Sequence, residues 1–199
     1  MSDAVIHYIE EPHPVTGVTN SKLGVWLFIA SEVMLFGALF SSYIVLRVGD
    51  ATWPHGWTVL NIPLATLNTM ILITSSVTMV MSWASLAMNR FDRFRLYMLV
   101  TILLGCAFMV VKGFEYAHKF EADHFPRTSN FYGVYFTMTG LHGLHVLGGI
   151  LANLYFLTVG SKLWKTHPKM FMGRIEVAGL YWHFVDLVWI FLFPSIYLL

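Results

Sequence analysis

The sequence has few charged residues for its length. Lys, Arg, Asp and Glu make up 12% of its 199 residues, whereas 57% are hydrophobic and the mean hydropathy is +0.65. The 12 basic and 11 acidic residues nearly cancel, which excludes the strong positive charge of a nucleic-acid-binding protein or a polybasic membrane-surface segment. Because the charge-free runs are longer than an amphipathic soluble helix tolerates, the chain is predicted to lie within a lipid bilayer.

Cysteine is scarce as well. The sequence contains one, Cys106, which excludes a disulfide bond within the chain and every metal or iron-sulfur site that needs several thiolates. Because Cys106 stands in an apolar run, we expect it to be a small side chain of the core.

The first residues, MSDAVIHYIEEPHPVTG, lack the basic start, short apolar stretch and cleavage site of a secretory signal. Pro12 and Pro14 argue against a long helix here, and His7 and His13 have no companion residues that would make a metal site. We therefore expect residues 1–21 to be a polar extension that stays on the protein, either flexible or loosely docked.

Five apolar runs are long enough to cross a hydrocarbon core of about 30 Å, which takes about 20 helical residues. Charged or turn-forming residues bound each run, and no large segment remains for a separate extramembrane domain. The sequence thus predicts an all-α membrane protein, a bundle of five transmembrane helices within residues 22–199. The predicted helices are Leu23–Leu46, Ile62–Met88, Phe94–His118, Phe131–Gly160 and Gly173–Leu198.

The basic residues near the helix ends predict the orientation, because cytoplasmic loops are enriched in Lys and Arg. An odd number of spans puts the two termini on opposite faces, and the face of the N-terminus carries eight of the 12 basic residues. We therefore predict a cytoplasmic N-terminus and an external C-terminus. Tyr197, near the end of the last span, is expected at the membrane interface.

Ionisable side chains inside the spans are candidate functional residues, since each is costly in hydrocarbon unless it has a partner. Lys112 and Glu115 are three residues apart and can form an ion pair. His142 and His145 have the same spacing, but the glycines around them in TGLHGLHVLGG favour close helix packing with hydrogen-bonded histidines. The other candidates are Glu32, His118, Glu176, His183 and Asp186.

His183 and Asp186, in YWHFVDLVW, are interpreted as an internally satisfied pair rather than a catalytic one. Glu32 stands near the middle of the first span with no basic residue one turn away, so its partner must come from another helix. His183 has a comparable depth, about nine residues from Arg174, as Glu32 lies about ten from Lys22. We predict that Glu32 hydrogen-bonds His183 directly or through one water; the alternative is a backbone carbonyl or a serine side chain.

Three other classes of membrane protein fit the sequence less well. A di-iron carboxylate bundle needs two Glu-x-x-His motifs and two further glutamates, and the sequence offers one such motif, Glu115 with His118. A dihaem cytochrome b needs paired axial histidines at matched depth, and His142, His145 and His183 make at most one pair. A transporter more often has repeated halves or broken helices, and the sequence has no internal repeat.

Several segments resemble the signature helices of subunit III of the haem-copper respiratory oxidases, in its short five-helix bacterial form. LGVWLFIASEVMLFGALF resembles the family helix with a buried glutamate after a serine, here Ser31 and Glu32. GFEYAHKF resembles its Glu-Tyr segment, here Glu115 and Tyr116. TGLHGLHVLGG and YWHFVDLVWIFLFPSIYLL resemble the last two helices, and the resemblance extends from about Lys22 to the C-terminus. The matched residues of these helices are His142, His145, Glu176, Tyr181, His183, Asp186 and Trp189.

The resemblance implies an accessory subunit of the bacterial cytoplasmic membrane, with haem and copper in partner subunits. Its main partner would be oxidase subunit I, with subunit II, other membrane subunits and structural phospholipids as further contacts, and it would support proton uptake into subunit I. Glu32 would be a buried functional carboxylate. A polar network, or lipid and subunit contacts, would involve Glu115, Tyr116, His142, His145, Glu176, His183 and Asp186.

The resemblance leaves the electron donor open between two types of oxidase. Cytochrome c is favoured because that type is prevalent in the family, and the alternatives are subunit III of a ubiquinol oxidase or a related protein of nitric oxide reductases. An integral membrane metalloenzyme is the alternative from another class. Longer family members carry two additional helices at their start, so a neighbouring subunit is expected to replace that arm in the short form.

Overall fold

A computed structural model of the protein describes residues 13–15 and 17–199, and these residues form helices joined by short turns. Within this range, five helices are long and apolar enough to cross a membrane, so the predicted all-α bundle with five spans is confirmed. The predicted extension lies mostly outside the described residues, as does His7. The helices are α1 (Asn20–Gly49), α2 (Gly56–Val59), α3 (Ile62–Ala87), α4 (Phe91–Glu121), α5 (Asn130–Leu157), α6 (Leu163–Thr166) and α7 (Pro168–Phe193), with a 3-10 turn at Gly160–Lys162 and a π-helical turn at Pro194–Leu198.

Polar side chains start three of the long helices. Thr19, Asn61 and Ser129 each accept a hydrogen bond from a backbone N–H in the first turn of α1, α3 and α5. These bonds satisfy donors that have no intrahelical partner. The fifth span begins at Pro168 rather than near Gly173, because proline suits the first helical position, where no N–H donor is needed.

Helix α1 lies at the edge of the bundle formed by the other long helices. α3 packs on α4 and α7, and α5 packs on the same two helices. α1 contacts α5 and α7, and the buried residues of this fully described helix are Phe36 and Tyr43. The position of α1 therefore depends on few apolar contacts.

A tryptophan of α7, Trp182, contacts α3, α4 and α5 at the centre of the bundle. The Trp182 ring fills a slot between Gly105 of α4 and Gly149 of α5, where an added Cβ would lie 2.9 Å and 2.7 Å from ring carbons. Its indole N–H donates to Ser75 of α3 over 3.1 Å. Because α4 turns Gly105 inward, its neighbour Cys106 is exposed on the outer face, and the predicted core position of Cys106 is wrong.

Candidate functional site

The carboxyl group of Glu32 on α1 meets an imidazole of α5. Glu32 Oε2 lies 2.9 Å from His145 Nε2, and the exposed fractions of the two side chains are 15% and 13%. The other ring nitrogen, Nδ1, lies 2.8 Å from the carbonyl oxygen of Leu141 one turn earlier. Phe36 packs on the histidine ring at 5.5 Å between centroids and covers the pair.

This geometry places one proton between Glu32 and His145. A carbonyl oxygen only accepts, so the contact with Leu141 assigns a hydrogen to Nδ1 of the histidine. The remaining contact needs one further proton, which either the carboxylic acid donates to a neutral imidazole or the imidazolium donates to a carboxylate. The pair carries no net charge in either state, which suits a site away from water.

The direct bond that we predicted between His183 and Glu32 does not form, and the alternative of a bond through one water stays a prediction. His183 Nδ1 lies 2.6 Å from the hydroxyl group of Ser76 on α3, so this ring faces a different helix. The rotation of each helix about its axis, which residue counting does not give, decides which neighbour a side chain meets. The partner of Glu32 is therefore on α5, where His145 faces α1.

The predicted ion pair between Lys112 and Glu115 is confirmed and lies inside the bundle. Lys112 Nζ is 2.8 Å from Glu115 Oε2, and the exposed fractions of the side chains are 8% and 3%. The other carboxylate oxygen accepts from the hydroxyl groups of Tyr135 at 3.0 Å and Tyr197 at 2.8 Å. The lysine also donates to the Tyr197 hydroxyl group and lies 4.5 Å from the centre of the Trp189 ring.

These contacts form a closed group, here called the Lys112 group, from three segments of the chain. Its members are Lys112, Glu115, Tyr135 and Tyr197. Every charged oxygen and the ammonium group have partners, as a buried ion pair requires. Tyr197 belongs to this group because the π-helical turn after Pro194 brings its ring inward, where it is fully buried. The predicted interfacial position of Tyr197 is therefore wrong.

His142 and Asp186 are buried on the inner faces of α5 and α7. His142 lies between the rings of Phe108 and Trp189, at 5.6 Å and 5.3 Å between centroids. Among the described residues, the ring nitrogens of His142 meet no hydrogen-bond partner, and the Asp186 carboxyl group has the Ser76 hydroxyl group beside it without forming a close hydrogen bond. The predicted direct pair of His183 with Asp186 does not form, and the Ser76 hydroxyl group, which contacts His183 Nδ1, lies beside Asp186 instead.

The remaining candidates lie nearer the helix ends. Glu176 Oε1 of α7 accepts from Lys22 Nζ of α1 at 2.8 Å, with about one third of each side chain exposed. Tyr116 shares a 2.5 Å hydrogen bond with Thr139 and so links α4 to α5. His118 is exposed at the end of α4. In the part of the chain that the structure describes, no three His, Cys, Asp or Glu side chains are grouped to hold a metal ion.

Helix α1 is attached by polar contacts along its length. Lys22 bonds α7 at one end, and Glu32 bonds α5 in the middle. At the other end Tyr43 donates to the carbonyl oxygen of Ser195, and Arg47 donates to Tyr43 at 2.8 Å and to the Leu199 carbonyl at 2.9 Å. These three attachments compensate for the small apolar contact of α1.

Sequence reasoning missed two members of the Lys112 group. Tyr135 lies four residues before Thr139 and seven before His142, so helical spacing places it on the inward face of α5 and offered a usable signal. For Tyr197 the available signal was Pro194, because proline interrupts regular helix hydrogen bonding. Its presence does not predict the direction in which the Tyr197 ring points after the interruption.

Comparison with known proteins gives consistent matches across this chain. A family profile described as cytochrome c oxidase subunit III matches residues 7–199. The cytochrome c oxidase subunit 3 of Corynebacterium diphtheriae is 39% identical, covering 88% of this chain and 86% of that protein. The protein of the same name in Alkalihalophilus pseudofirmus is 35% identical, covering 90% and 87%. The cytochrome bo(3) ubiquinol oxidase subunit 3 of Pseudomonas aeruginosa is 32% identical, covering 90% and 85%. The chain therefore belongs to the cytochrome c oxidase subunit III family.

Proposed function

We propose that the chain is a non-catalytic accessory subunit of a proton-pumping cytochrome c oxidase in the bacterial cytoplasmic membrane. In this proposal it packs mainly on subunit I, contacts subunit II and other membrane subunits, and leaves haem and copper to those partners. Its task is to stabilise subunit I and to support proton uptake into it. The main observation in support of this role is the contact of Glu32 with His145, a largely buried pair that shares one exchangeable proton at the edge of the bundle.

The arrangement of α1 supports this role. The helix is held to the bundle by polar contacts, and its exposed apolar residues leave most of its surface to lipid or to a partner helix. Because α1 lies at the edge of the bundle, the pair of Glu32 and His145 would lie close to subunit I, the proposed receiver of the proton. The Lys112 group, by contrast, has all its charges paired within the chain and is proposed to hold the bundle together.

We propose that the N-terminus is cytoplasmic. Lys112 is paired inside the bundle and does not belong to a loop, which leaves three basic residues on the C-terminal face against eight on the other. The basic face would be the cytoplasmic one. It carries Lys22, Arg90, Arg93, Arg95, Lys162, Lys165, Lys169 and Arg174, and the other face carries Arg47, Lys119 and Arg127.

Structural phospholipids are a further part of the proposal. An apolar groove of about 250 Å³ runs between α1 and α7, with Phe40, Phe184 and Phe191 in its wall. Its composition suits an acyl chain. A helix of a neighbouring subunit would cover the rest of α1, in place of the two helices found in longer family members.

Purification through a tag on this chain tests the proposed function. The complex is expected to contain a large haem-bearing subunit, whereas the chain expressed alone is expected to show no haem spectrum and no stoichiometric iron or copper. Haem or copper in the isolated chain would favour the metalloenzyme alternative. Absence of a haem-bearing subunit from the purified complex would contradict the proposal.

The electron donor needs a separate assay. The relatives from Corynebacterium diphtheriae and Alkalihalophilus pseudofirmus are named cytochrome c oxidase subunits, while the one from Pseudomonas aeruginosa is named a ubiquinol oxidase subunit. Oxygen consumption by the purified complex with reduced cytochrome c, and none with ubiquinol, is the expected result. The reverse result would assign the chain to the quinol type while leaving its accessory role intact.

A further inference from the structure

A cavity of about 220 Å³ lies between α1, α5 and α7, the three helices that surround the contact of Glu32 with His145. Small side chains leave this space between the helices open. The lining residues that matter here are Val25 of α1, Gly149, Ala152 and Asn153 of α5, and Arg174 and Tyr181 of α7.

Helical spacing places the cavity directly below the pair of Glu32 and His145. Val25 and Glu32 are seven residues apart on one face of α1, and His145 and Gly149 are four apart on one face of α5. At 1.5 Å per residue, the cavity wall lies about 6 Å from His145 along α5 and about 10 Å from Glu32 along α1. The cavity thus extends from the pair toward the face of the bundle where α1 and α7 begin.

The far end of the cavity reaches the level of the aqueous boundary. Arg174, which lines this end, stands in the second turn of α7. Lys22 and Glu176 form their ion pair at the same level, with about one third of each side chain exposed. Neither of these two residues lines the cavity, but their exposure marks the depth to which water reaches.

The polar groups of the cavity favour water as its occupant. Asn153 is 1% exposed, and its amide nitrogen Nδ2 has no hydrogen-bond partner among the described residues. A buried donor of this kind needs an acceptor, which an internal water supplies. The volume has room for several waters at about 30 Å³ each, and Arg174 and the Tyr181 hydroxyl group are polar partners at its two ends.

Tyr181 separates the cavity from the pair. Its hydroxyl group donates to the carbonyl oxygen of His145 over 2.9 Å, and its ring contacts Phe28 of α1 at 6.0 Å between centroids. Phe28 lies one helical turn before Glu32, and the Glu32 carboxyl group is close enough to act electrostatically on the Tyr181 hydroxyl group. The tyrosine ring is therefore the last barrier between the cavity and the shared proton.

We propose that this cavity is a water-filled inlet through which the pair of Glu32 and His145 exchanges its proton with the cytoplasm, and that the Tyr181 ring limits the rate. When the pair gives up its proton, one proton enters from the cytoplasm. Each water accepts one hydrogen and passes on another, so the pair regains its neutral state. The inference rests on the proposed function and orientation, and it adds the route by which the proton is replaced.

Hydrogen–deuterium exchange of the pair in the purified oxidase complex tests the inlet. The infrared bands of the pair are those that Glu32→Gln removes, and their shift after transfer into deuterated water reports the arrival of a deuteron without any turnover. Ala152→Leu fills the cavity, and Asn153→Leu removes its buried amide at similar size. Each should slow the exchange about tenfold or more, because a deuteron must then wait for local opening of the bundle.

Tyr181→Phe should have the opposite effect. The phenylalanine ring loses its bond to the His145 carbonyl oxygen and moves aside more often. Exchange should be faster by about two- to tenfold, the equivalent of one neutral hydrogen bond. A general disturbance of the bundle would shift the filling variants and Tyr181→Phe in the same direction.

Two matched variants control for added bulk and for a lost hydroxyl group. Ala87→Leu adds the same side chain at an exposed position at the same end of the bundle, and Tyr155→Phe removes a hydroxyl group from a half-exposed ring of α5. Both are expected to exchange as the unmodified complex does. Unchanged exchange in Ala152→Leu and Asn153→Leu, or equal slowing by Ala87→Leu, would overturn the inlet. Unchanged or slower exchange in Tyr181→Phe would overturn the barrier.

The same preparations keep the inlet and the accessory role apart. Co-purification of the haem-bearing subunit is recorded for the unmodified chain and for each variant, and it does not depend on the exchange rate. A complex that contains the haem-bearing subunit but exchanges equally fast in the filling variants contradicts the inlet alone. A chain that shows the expected exchange rates but brings down no haem contradicts the accessory role alone.

Discussion

Glu32 of α1 and His145 of α5 share one proton across a 2.9 Å contact that is the central attachment of α1 to the bundle. A buried hydrogen bond contributes about 0.5–1.5 kcal/mol between neutral groups and about 1.5–3 kcal/mol when a partner is charged, which is substantial for a helix with two buried residues. In the proposed function the contact has two roles, since it would position α1 and hold a transferable proton. The two can be separated, because an amide can replace the carboxyl group as a hydrogen-bond partner but cannot replace it as an acid.

Glu32→Gln is expected to leave the oxidase assembled but less durable. The glutamine amide donates to a neutral His145, so α1 stays attached, while the exchangeable proton is lost. We expect normal recovery of the complex and a faster decline of oxygen consumption over successive turnovers.

Glu176→Gln is the matched control for that experiment. It also replaces a carboxylate that bonds α1 to α7, but one that is about one third exposed at the helix end. Its turnover should be as durable as that of the unmodified complex. Durable turnover in Glu32→Gln as well would reduce Glu32 to a packing residue.

The proposed orientation predicts which loops a membrane-impermeant thiol reagent reaches. In a Cys106→Ala background, Ala51→Cys in the turn after α1 should be labelled from outside the intact cell. Thr166→Cys, at the end of α6, should be labelled after the membrane is opened. Both positions are exposed in the structure, so accessibility differs only through the membrane. The opposite pattern would invert the orientation.

The spans and one contact of the site followed directly from the sequence. Lipid demands long apolar runs, so hydropathy located all five helices. The Lys112 ion pair was predictable because both residues lie on one helix, whose geometry fixes which side chains meet at a spacing of three.

Contacts between helices were not predictable in the same way. Residue counting put Glu32 and His183 at similar depth, but it contains no information on helix rotation, and Ser76 is the actual neighbour of His183. Tyr197 was assigned to the interface from its position near the chain end, whereas the π-helical turn after Pro194 carries it inward to Glu115. Such geometry depends on several helices at once.

The slot around Trp182 predicts that Gly149 tolerates no larger residue. A Cβ there would approach the ring to 2.7 Å, and the ring is also fixed by its bond to Ser75. Gly149→Ala should therefore destabilise the bundle by about 1–3 kcal/mol, as overpacking does. Gly143→Ala on the same helix meets no atom within 4 Å and is the control, expected near neutral or slightly stabilising. Unfolding by a denaturing detergent measures both; equal stability of the two variants would contradict the slot.

The buried pair of Lys112 and Glu115 predicts opposite outcomes for single and double substitution. Glu115→Gln leaves the ammonium group in the core without its counter-charge and should lower the free energy of unfolding by about 3–5 kcal/mol. Adding Lys112→Met should restore most of this loss, because methionine has a similar length and no charge, and the glutamine carbonyl oxygen still accepts from Tyr135 and Tyr197.

The control for these single and double substitutions is the exposed ion pair of Lys22 and Glu176, which also joins an ammonium group to a carboxylate. Lys22→Met removes the lysine that bonds Glu176, and both side chains there reach solvent, so the cost should be about 0–1 kcal/mol. The double variant at Lys112 and Glu115 is the decisive measurement. If it unfolds as easily as Glu115→Gln alone, the loss comes from the tyrosine contacts rather than from an unpaired charge, and the ion pair is not what stabilises this part of the bundle.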